Sequence, residues 1–508
     1  MSKELNLHEP QRQNPFGVAV IFYKNLRIAI NIILPFAVVN LGGKMSFWQI
    51  SIYGISSIVL LLFLILSYFQ YRRFFFYVED DRFVLEEGVF KRDKITVAFD
   101  RIQSVNLNQN IIQQILGVTG LKVDTAGSKS KEMEIPALNK AYARALQAEL
   151  LKRKEETIGE AEDAEAITED GIATKPKERR TAIEHGEPLL KLSFKDVLRV
   201  GITENHLRSG LILFAVINGY IWQFEDYILK PFEDYIDNTT NTILAYGLII
   251  VPISIMLFFI IGMLFSTIQS ALKYFNLRFY ANEKGVQLKS GLLKKAEYQI
   301  PFNKIQYIKW ATNPLRNLIG YKTITVKQAG SEEATDKNSL QIPGAKQQQL
   351  ETVLDFFFPQ REGLEDNTAV SHWLLASQLT FWTSLVPVTG LIIGGFFLSW
   401  LWYPIPLVIL FVFFFSYKYY KSIQLKWNAE LLVLERGYVF PKRYILKFYK
   451  LQNVALSESF LQRPRGLAHL HLHTAAGDLR MPHLDKVTAE KLYNYILYKI
   501  ESSEKNWM

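Results

Sequence analysis

GVFKRDKITVAFDRIQSVNLNQNIIQQILGVTGLKVDTAG, residues Gly88 to Gly127, is the first of three copies of one pattern. The second copy opens at Gly291 and the third at Gly437. From the opening glycine to Gln103, Gln306 and Gln452 is 15 residues each time. From there to Gly117, Gly320 and Gly466 is 14 each time. Phe99-Asp100-Arg101-Ile102-Gln103, Phe302-Asn303-Lys304-Ile305-Gln306 and Phe448-Tyr449-Lys450-Leu451-Gln452 align without a gap. A fixed repeat of this kind sets the architecture before any single element is assigned.

The 508 residues leave room for roughly three domains. Net charge is +9, hydrophobic residues make up 49%, and there is no cysteine. Without cysteine there are no disulfides, thiolate metal sites or cysteine nucleophiles. A basic chain suits nucleic acid or an anionic membrane surface. The long apolar runs decide for the membrane.

Those runs come in pairs. Ile28 to Gly43 and Phe47 to Phe69 form a first hairpin around a short bend. Leu211 to Trp222 and Ile243 to Ile268 form a second, with an acidic loop at Phe224 to Thr242. Leu379 to Trp402 and Leu407 to Tyr417 form a third, turning at Trp402-Tyr403-Pro404. A membrane helix needs about 20 apolar residues, so the first run borrows from the segment before it. Lys24, Arg27, Arg72, Arg73, Lys191, Lys195, Arg199, Arg208, Lys273, Lys418 and Lys421 flank the repeat-side ends, against Lys44 and Lys230 at the bends. The positive-inside rule then puts the N-terminus and all three repeats in the cytoplasm.

Each hairpin is followed by one repeat copy, which reads as strands closed by a helix. Phe83-Val84-Leu85 and Ile95 to Phe99 flank the Gly88 turn, and Leu121-Lys122-Val123-Asp124 alternates as a half-buried strand does. The closing helices are expected at Asn139 to Lys152, Ala345 to Phe357 and Asp485 to Ile500. The expected division is an N-terminal segment 1–27, hairpin 28–69, module 70–152, acidic disordered linker 153–186 and juxtamembrane amphipathic helix 187–206. It continues with hairpin 207–268, module 269–360, linker 361–377, hairpin 378–417 and module 418–503. The linker is read as disordered because Glu155 to Asp170 is acidic, without basic residues or apolar period.

This unit resembles the bacterial pleckstrin-homology-like domain family. The carrying residues are Glu87-Gly88, Ser290-Gly291 and Arg436-Gly437, then Ile102-Gln103, Ile305-Gln306 and Leu451-Gln452, then Leu116-Gly117, Ile319-Gly320 and Arg465-Gly466. The resemblance implies membrane α-helical hairpins plus α+β modules: six transmembrane helices and three PH-like split β-barrels, each capped by a C-terminal helix. It implies no enzyme, catalytic residues or cofactor. The third copy departs from the pattern, since Pro464 and Arg465 interrupt the helix expected before Gly466.

Basic residues recur after the opening turn: Lys91, Arg92 and Lys94, then Lys294 and Lys295, then Lys442 and Arg443. Another recurs at one aligned position, Arg101, Lys304 and Lys450. They read either as contacts to anionic headgroups, at about 1 kcal/mol each at a membrane surface, or as charges that protect a hairpin tip and strand edge. His469, His471 and His473 alternate along one strand face. With His483 or Asp478 they would hold zinc; otherwise they form a solvent-facing row opposite Leu470 and Leu472. The clear spans carry no charge or histidine, which disfavours a solute pathway. Gly390 and Gly394 form a small-residue pair for helix packing. The catalytic signatures GxxxxGK[ST], HExxH and GxSxG are absent.

The sequence therefore reads as a non-enzymatic membrane scaffold or adaptor, suited to a role in envelope integrity or stress. Its modules are expected to bind protein partners, each other or anionic lipid, and to have no nucleic-acid partner. The resemblance implies a smaller PH-like membrane protein of the same family as partner, and self-association is the other expectation. The alternative is a lipid-handling or transport component of the inner membrane.

Overall fold

Each opening glycine lies in a backbone region closed to side chains, at φ +111° for Gly88, +107° for Gly291 and +99° for Gly437. A Cβ there would collide with the carbonyl oxygen of Lys91, Lys294 or Phe440 across the turn. Only glycine fits, which is why the repeat begins with it. In the computed structural model the described residues are 7, 9–26, 28, 47–80, 82–125, 133–166, 187–204, 256–281, 285–329, 339–365 and 367–503. Apart from residue 28, the expected first arm of hairpin 1 lies outside them, as do the first arm and acidic loop of hairpin 2, residues 243–255 of its second arm, and residues 167–186.

The chain divides into two compact units. One holds Met1–Gly186, Ser193–Arg278 and Gln287–Gln299; the other holds Glu187–Leu192, Phe279–Val286 and Ile300–Met508.

In the first unit, β1 (Phe75–Glu79), β2 (Arg82–Glu87) and β3 (Asp93–Ala98) form an antiparallel sheet in that order. Then β4 (Ile102–Gln109), β5 (Val118–Thr125) and β6 (Met133–Asn139) form an antiparallel meander. The helix Lys140–Ala166 follows and buries Ala143, Leu146 and Leu150 in the same core as Phe76, Phe83, Phe99 and Leu121. It runs well past Lys152, so residues 153–166, expected in a disordered linker, are helical. Alanine and glutamate are strong helix formers, and a helix already nucleated on the core extends through them at little cost.

The later strands are β7 (Leu190–Lys191), β8 (Arg278–Ala281), β9 (Gly285–Ser290), β10 (Lys295–Pro301), β11 (Ile305–Ala311), β12 (Tyr321–Gln328) and β13 (Leu340–Lys346). β14 (Thr368–Val370), β15 (Gln424–Trp427), β16 (Leu431–Arg436), β17 (Lys442–Lys447), β18 (Leu451–Ser457), β19 (Leu467–Thr474) and β20 (Gly477–Asp485) complete the set. In the second unit the order β13-β12-β11-β17-β16-β15-β14 is one continuous sheet, and β18-β19-β20 is another.

The modules are therefore not separate beads. Strand β4 of the first copy pairs with β10 of the second, Leu107 opposite Glu297. Strand β11 of the second pairs with β17 of the third, Tyr307 opposite Leu446 through Ala311 opposite Lys442. Gln103, Gln306 and Gln452 each stand at a β-bulge, where the register skips one residue. A bulge bends the strand, so the most regular residue of the repeat marks a bend. A second bulge recurs at Pro136-Ala137, Pro343-Gly344 and Pro482-His483.

Each hairpin is also looped out of a sheet. A segment before it pairs with the first strand after it: Gln11 makes an isolated bridge to Phe76, β7 lies beside β8, and β14 pairs with β15. Segment 1–27, expected as a cytoplasmic N-terminal segment, thus adds a one-residue bridge, and 187–206 and 361–377, expected as amphipathic surface helix and linker, each supply a short module strand. Within 187–206 the helix Phe194–Ile202 buries Asp196, Val197, Val200 and Gly201 and is closed by a Ser193–Asp196 capping box. Gly201 sits against Thr267 of the following apolar helix, so the segment is a packed helix rather than one lying free on the membrane.

Among the described residues four helices are long and apolar enough to cross a membrane: Gly54–Arg72, Met256–Tyr274, Leu374–Phe397 and Ser399–Lys421. The third hairpin breaks at Leu398, earlier than expected, and Ser399–Trp402 is a single tight turn. Gly394 and Gly395 make room there for Leu401 and Trp402, whereas a side chain at Gly390 would meet open space. Pro404 then precedes the helix Ile405–Lys421, where a missing N–H costs nothing.

Candidate functional site

The loop after each opening glycine is tied to the end of the apolar helix before it. Arg73 Nη1 donates to the Val89 carbonyl at 2.8 Å. Gly291 N donates to Phe275 O at 3.0 Å and Leu292 N to Leu272 O at 2.8 Å. Gly437 N donates to Ser422 Oγ at 3.0 Å. These ties hold exposed apolar side chains at the helix ends: Phe90, which is 92% exposed, Leu292 and Leu293, and Tyr438 and Phe440. Lys91, Arg92 and Lys294 stand exposed beside them. Exposed apolar side chains at the end of a span, flanked in the first two copies by lysine or arginine, match the chemistry of a bilayer interface.

The second bulge gives a matching tie on the entry side. Asn14 N donates to Ala137 O at 2.8 Å, and His372 N to His483 O at 2.8 Å. Ser371 Oγ donates to Pro482 O at 2.7 Å. Phe16, Phe194 and Trp373 follow these entry segments and are all exposed. The sequence reading missed this side, although Pro136, Pro343 and Pro482 each stand four residues before a closing helix.

The remaining basic candidates divide. Arg101 is exposed. Lys295, Lys442 and Arg443 lie on the junction strands β10 and β17 with exposed side chains, and Arg443 pairs with Glu435 at 3.3 Å. Lys304 is half-buried, and burial lowers its pKa. Lys450 is only 4% exposed. Its ammonium donates to Asn303 O of the preceding module at 2.6 Å. Burial first, then Lys447 and Lys304, pull its pKa down to about 8. Lys450 is thus a junction residue and not a headgroup contact, because the tight turn Phe448–Lys450 carries it against Asn303 of a module that the local sequence does not reveal.

The histidine row also divides. His471 meets Ser457 Oγ at 2.8 Å, and His473 meets Asp478 at 2.7 Å. His469 is buried rather than solvent-facing, because the bulge turns β20 over it. His469 Nδ1 accepts from His483 N at 3.1 Å and lies 3.1 Å from Gln462 Nε2. With Nδ1 accepting, the neutral ring carries its proton on Nε2. Burial, with Arg480 next, lowers His469 to about 3 and His483 to about 4. Both are uncharged at neutral pH. The row offers no common point for a metal, since each ring faces a different partner. His483 has φ +52°, an uncommon backbone state for a side chain.

His469 and His483 line a cleft of about 440 Å³ where the third hairpin meets its module. Leu375, Gln378, Trp382 and Tyr419 form its helix side, and Arg436 and Arg480 supply positive charge. Its size lies within the range of small-molecule sites. Uncharged imidazoles and two guanidiniums suit binding of an anion and not proton transfer near neutral pH.

The chain matches the bacterial PH domain family over residues 29–154, 229–358 and 378–500. It is also similar to the UPF0699 transmembrane protein YdbT of Bacillus subtilis (strain 168), 26% identical over 477 residues, covering 90% of this chain and 91% of that protein.

Proposed function

The chain belongs to the bacterial PH domain family, and from that premise we propose that it is a non-enzymatic scaffold of the bacterial inner membrane. Six helices cross the bilayer, the N-terminus and modules face the cytoplasm, and each module closes with a helix. One observation carries this reading: each junction joins successive modules by strand pairing, and the modules are tied to the membrane helices. Within each compact unit such joining removes the freedom that a flexible linker would leave. Partners then meet several modules at a high effective concentration. The tips at Phe90, Leu293 and Phe440 enter the interface, and Lys91, Arg92 and Lys294 contact anionic headgroups.

Because the natural chain lacks cysteine, single cysteines test this directly. Phe90→Cys and Phe440→Cys in the full chain should escape a membrane-impermeant maleimide in intact cells and react after permeabilisation. Tyr403→Cys, at the opposite end of the third hairpin, should react in intact cells. A bimane probe at Phe90→Cys should shift to the blue in phosphatidylglycerol vesicles. Labelling of the tips from outside, or a fully aqueous probe spectrum, contradicts the proposal.

The cleft beside Trp382 favours a second reading, a lipid-handling component, because it joins membrane-helix walls to Arg436 and Arg480. Retention of phosphatidylglycerol by the purified full chain, about tenfold weaker in Arg480→Gln, supports it. Equal retention by both proteins removes it.

A further inference from the structure

The internal junctions share one register. Asn108 stands opposite Ala296, and Ala311 opposite Lys442. Asn108 and Ala311 each lie five residues after the repeated glutamine, Gln103 or Gln306. Ala296 and Lys442 each lie six residues before the aromatic that opens the next tight turn, Phe302 or Phe448. The same two strand types thus meet in the same alignment both times.

One strand of each type has no such partner. β3 occupies in the first copy the place of β10 and β17, and it ends its sheet. β18 occupies in the third copy the place of β4 and β11, and it also ends its sheet. Among the described residues no strand pairs with either outer edge. By contrast β6, β13 and β20 end their sheets in every copy, so those edges are ends by construction. The burial that pairing confers is missing at β18. Gln306 and Tyr307 are buried in β11, whereas their counterparts Gln452 and Asn453 are exposed.

Charge does not close these edges. Lysine on an edge strand ordinarily discourages pairing. Yet β10 enters its junction with Lys295, and β17 with Lys442 and Arg443. Asp93 and Lys94 of β3 are no greater obstacle.

We propose that β18 of one copy pairs antiparallel with β3 of a second copy of this chain. Carrying the internal register over places Ser457 opposite Asp93, Ala455 opposite Ile95, and Asn453 opposite Val97. The contact is head to tail, so it propagates in the membrane plane until a ring closes or an end is capped. It rests on the reading that both ends face the same side of the membrane.

The test co-expresses two differently tagged full-length chains, one Ser457→Cys and one Asp93→Cys, and applies a mild oxidant to the membranes. Opposed strand residues lie about 4.5–5.5 Å apart at Cα, which a disulfide spans. A mixed disulfide dimer is expected at least about tenfold above the offset pair Ser457→Cys with Val97→Cys, whose Cα atoms lie beyond bridging distance. Substitution of Ala455 by proline in the Ser457→Cys chain should abolish the dimer, because proline cannot join a strand ladder. No mixed dimer above the offset pair overturns the inference, as does a dimer that survives the proline. The intramolecular pair Ala311→Cys with Lys442→Cys runs beside it. If that pair crosslinks and the mixed pair does not, only the chain-to-chain contact fails and the scaffold stands.

Discussion

Tyr307 of the second module and Tyr444 of the third face each other across their junction, ring centroids 5.9 Å apart and both fully buried. Arg436 lies over the Tyr444 ring at 4.8 Å and donates to its hydroxyl at 2.6 Å. Both rings belong to the core that also holds Leu470, Leu472 and Ile496 of the third module. The second module thus contributes a core residue to the third. Truncating either ring to alanine should destabilise the full chain by about 3–5 kcal/mol. A double-mutant cycle on thermal unfolding should return a coupling of about 0.5–1.5 kcal/mol. Strict additivity would mean that the rings do not meet.

The glycines of the repeat should separate into two classes. Gly88→Ala, Gly291→Ala and Gly437→Ala force a Cβ onto a carbonyl oxygen at positive φ. Gly117→Ala keeps φ +67° but meets open space. The second kind should cost about 1–2 kcal/mol, and the first distinctly more, with the tip released from its helix. Limited proteolysis at the tips, beside thermal unfolding, reads both effects. Equal costs would contradict the turn geometry.

Acid should weaken the third module through His469 and His483. Their folded pKa values, about 3 and about 4, lie below the ordinary 6.5. The unfolded chain therefore takes up protons first as pH falls. Their contribution is complete above pH 6.5 and declines toward pH 4, with a limiting slope of about 1.4 kcal/mol per pH unit for each ring. Burial first, then the charge of Arg480, keeps these rings neutral, with His471 facing His469 and His372 facing His483. In His469→Gln/His483→Gln the slope over that window should be shallower than in the natural chain. An unchanged slope assigns acid lability to other groups.

Lys450 makes the opposite end of the pH scale informative. Its folded pKa of about 8 lies below the ordinary 10.5. Between those values the unfolded chain holds more protons, so stability should rise with pH. Lys450→Met should make that rise shallower, the part that burial of Lys304 supplies remaining, while Lys294→Met on an exposed tip should leave it unchanged. Melting temperatures of the full chain across this window decide it.

The repeat and its pairing with membrane helices were legible because they rest on spacing. Gln103, Gln306 and Gln452 announced themselves as anchors, and only pairing revealed them as bulge positions. The junctions were not legible. Lys295, Lys442 and Arg443 look like solvated tips, since strand pairing is non-local and leaves no periodic mark in either partner. Lys450 and Lys304 align with exposed Arg101 yet turn inward, because burial depends on what a neighbouring module places beside them. The split of each module by its hairpin was hidden in short strands such as Leu190–Lys191 and Thr368–Val370, too brief for alternation to show. In the third copy Pro464 was legible as an interruption, and only the tight turn Arg463–Arg465 stands there.

The edge-to-edge joining of modules is tested most directly by internal disulfides in native membranes. Ala311→Cys with Lys442→Cys, and Asn108→Cys with Ala296→Cys, place thiols at opposed positions of the two junctions. Mild oxidation should close both bridges within one chain, seen as faster migration that a reductant reverses. Lys309→Cys with Lys442→Cys, offset by two residues, should close far more slowly. Equal closure of matched and offset pairs, or none at either junction, would contradict the joined sheets.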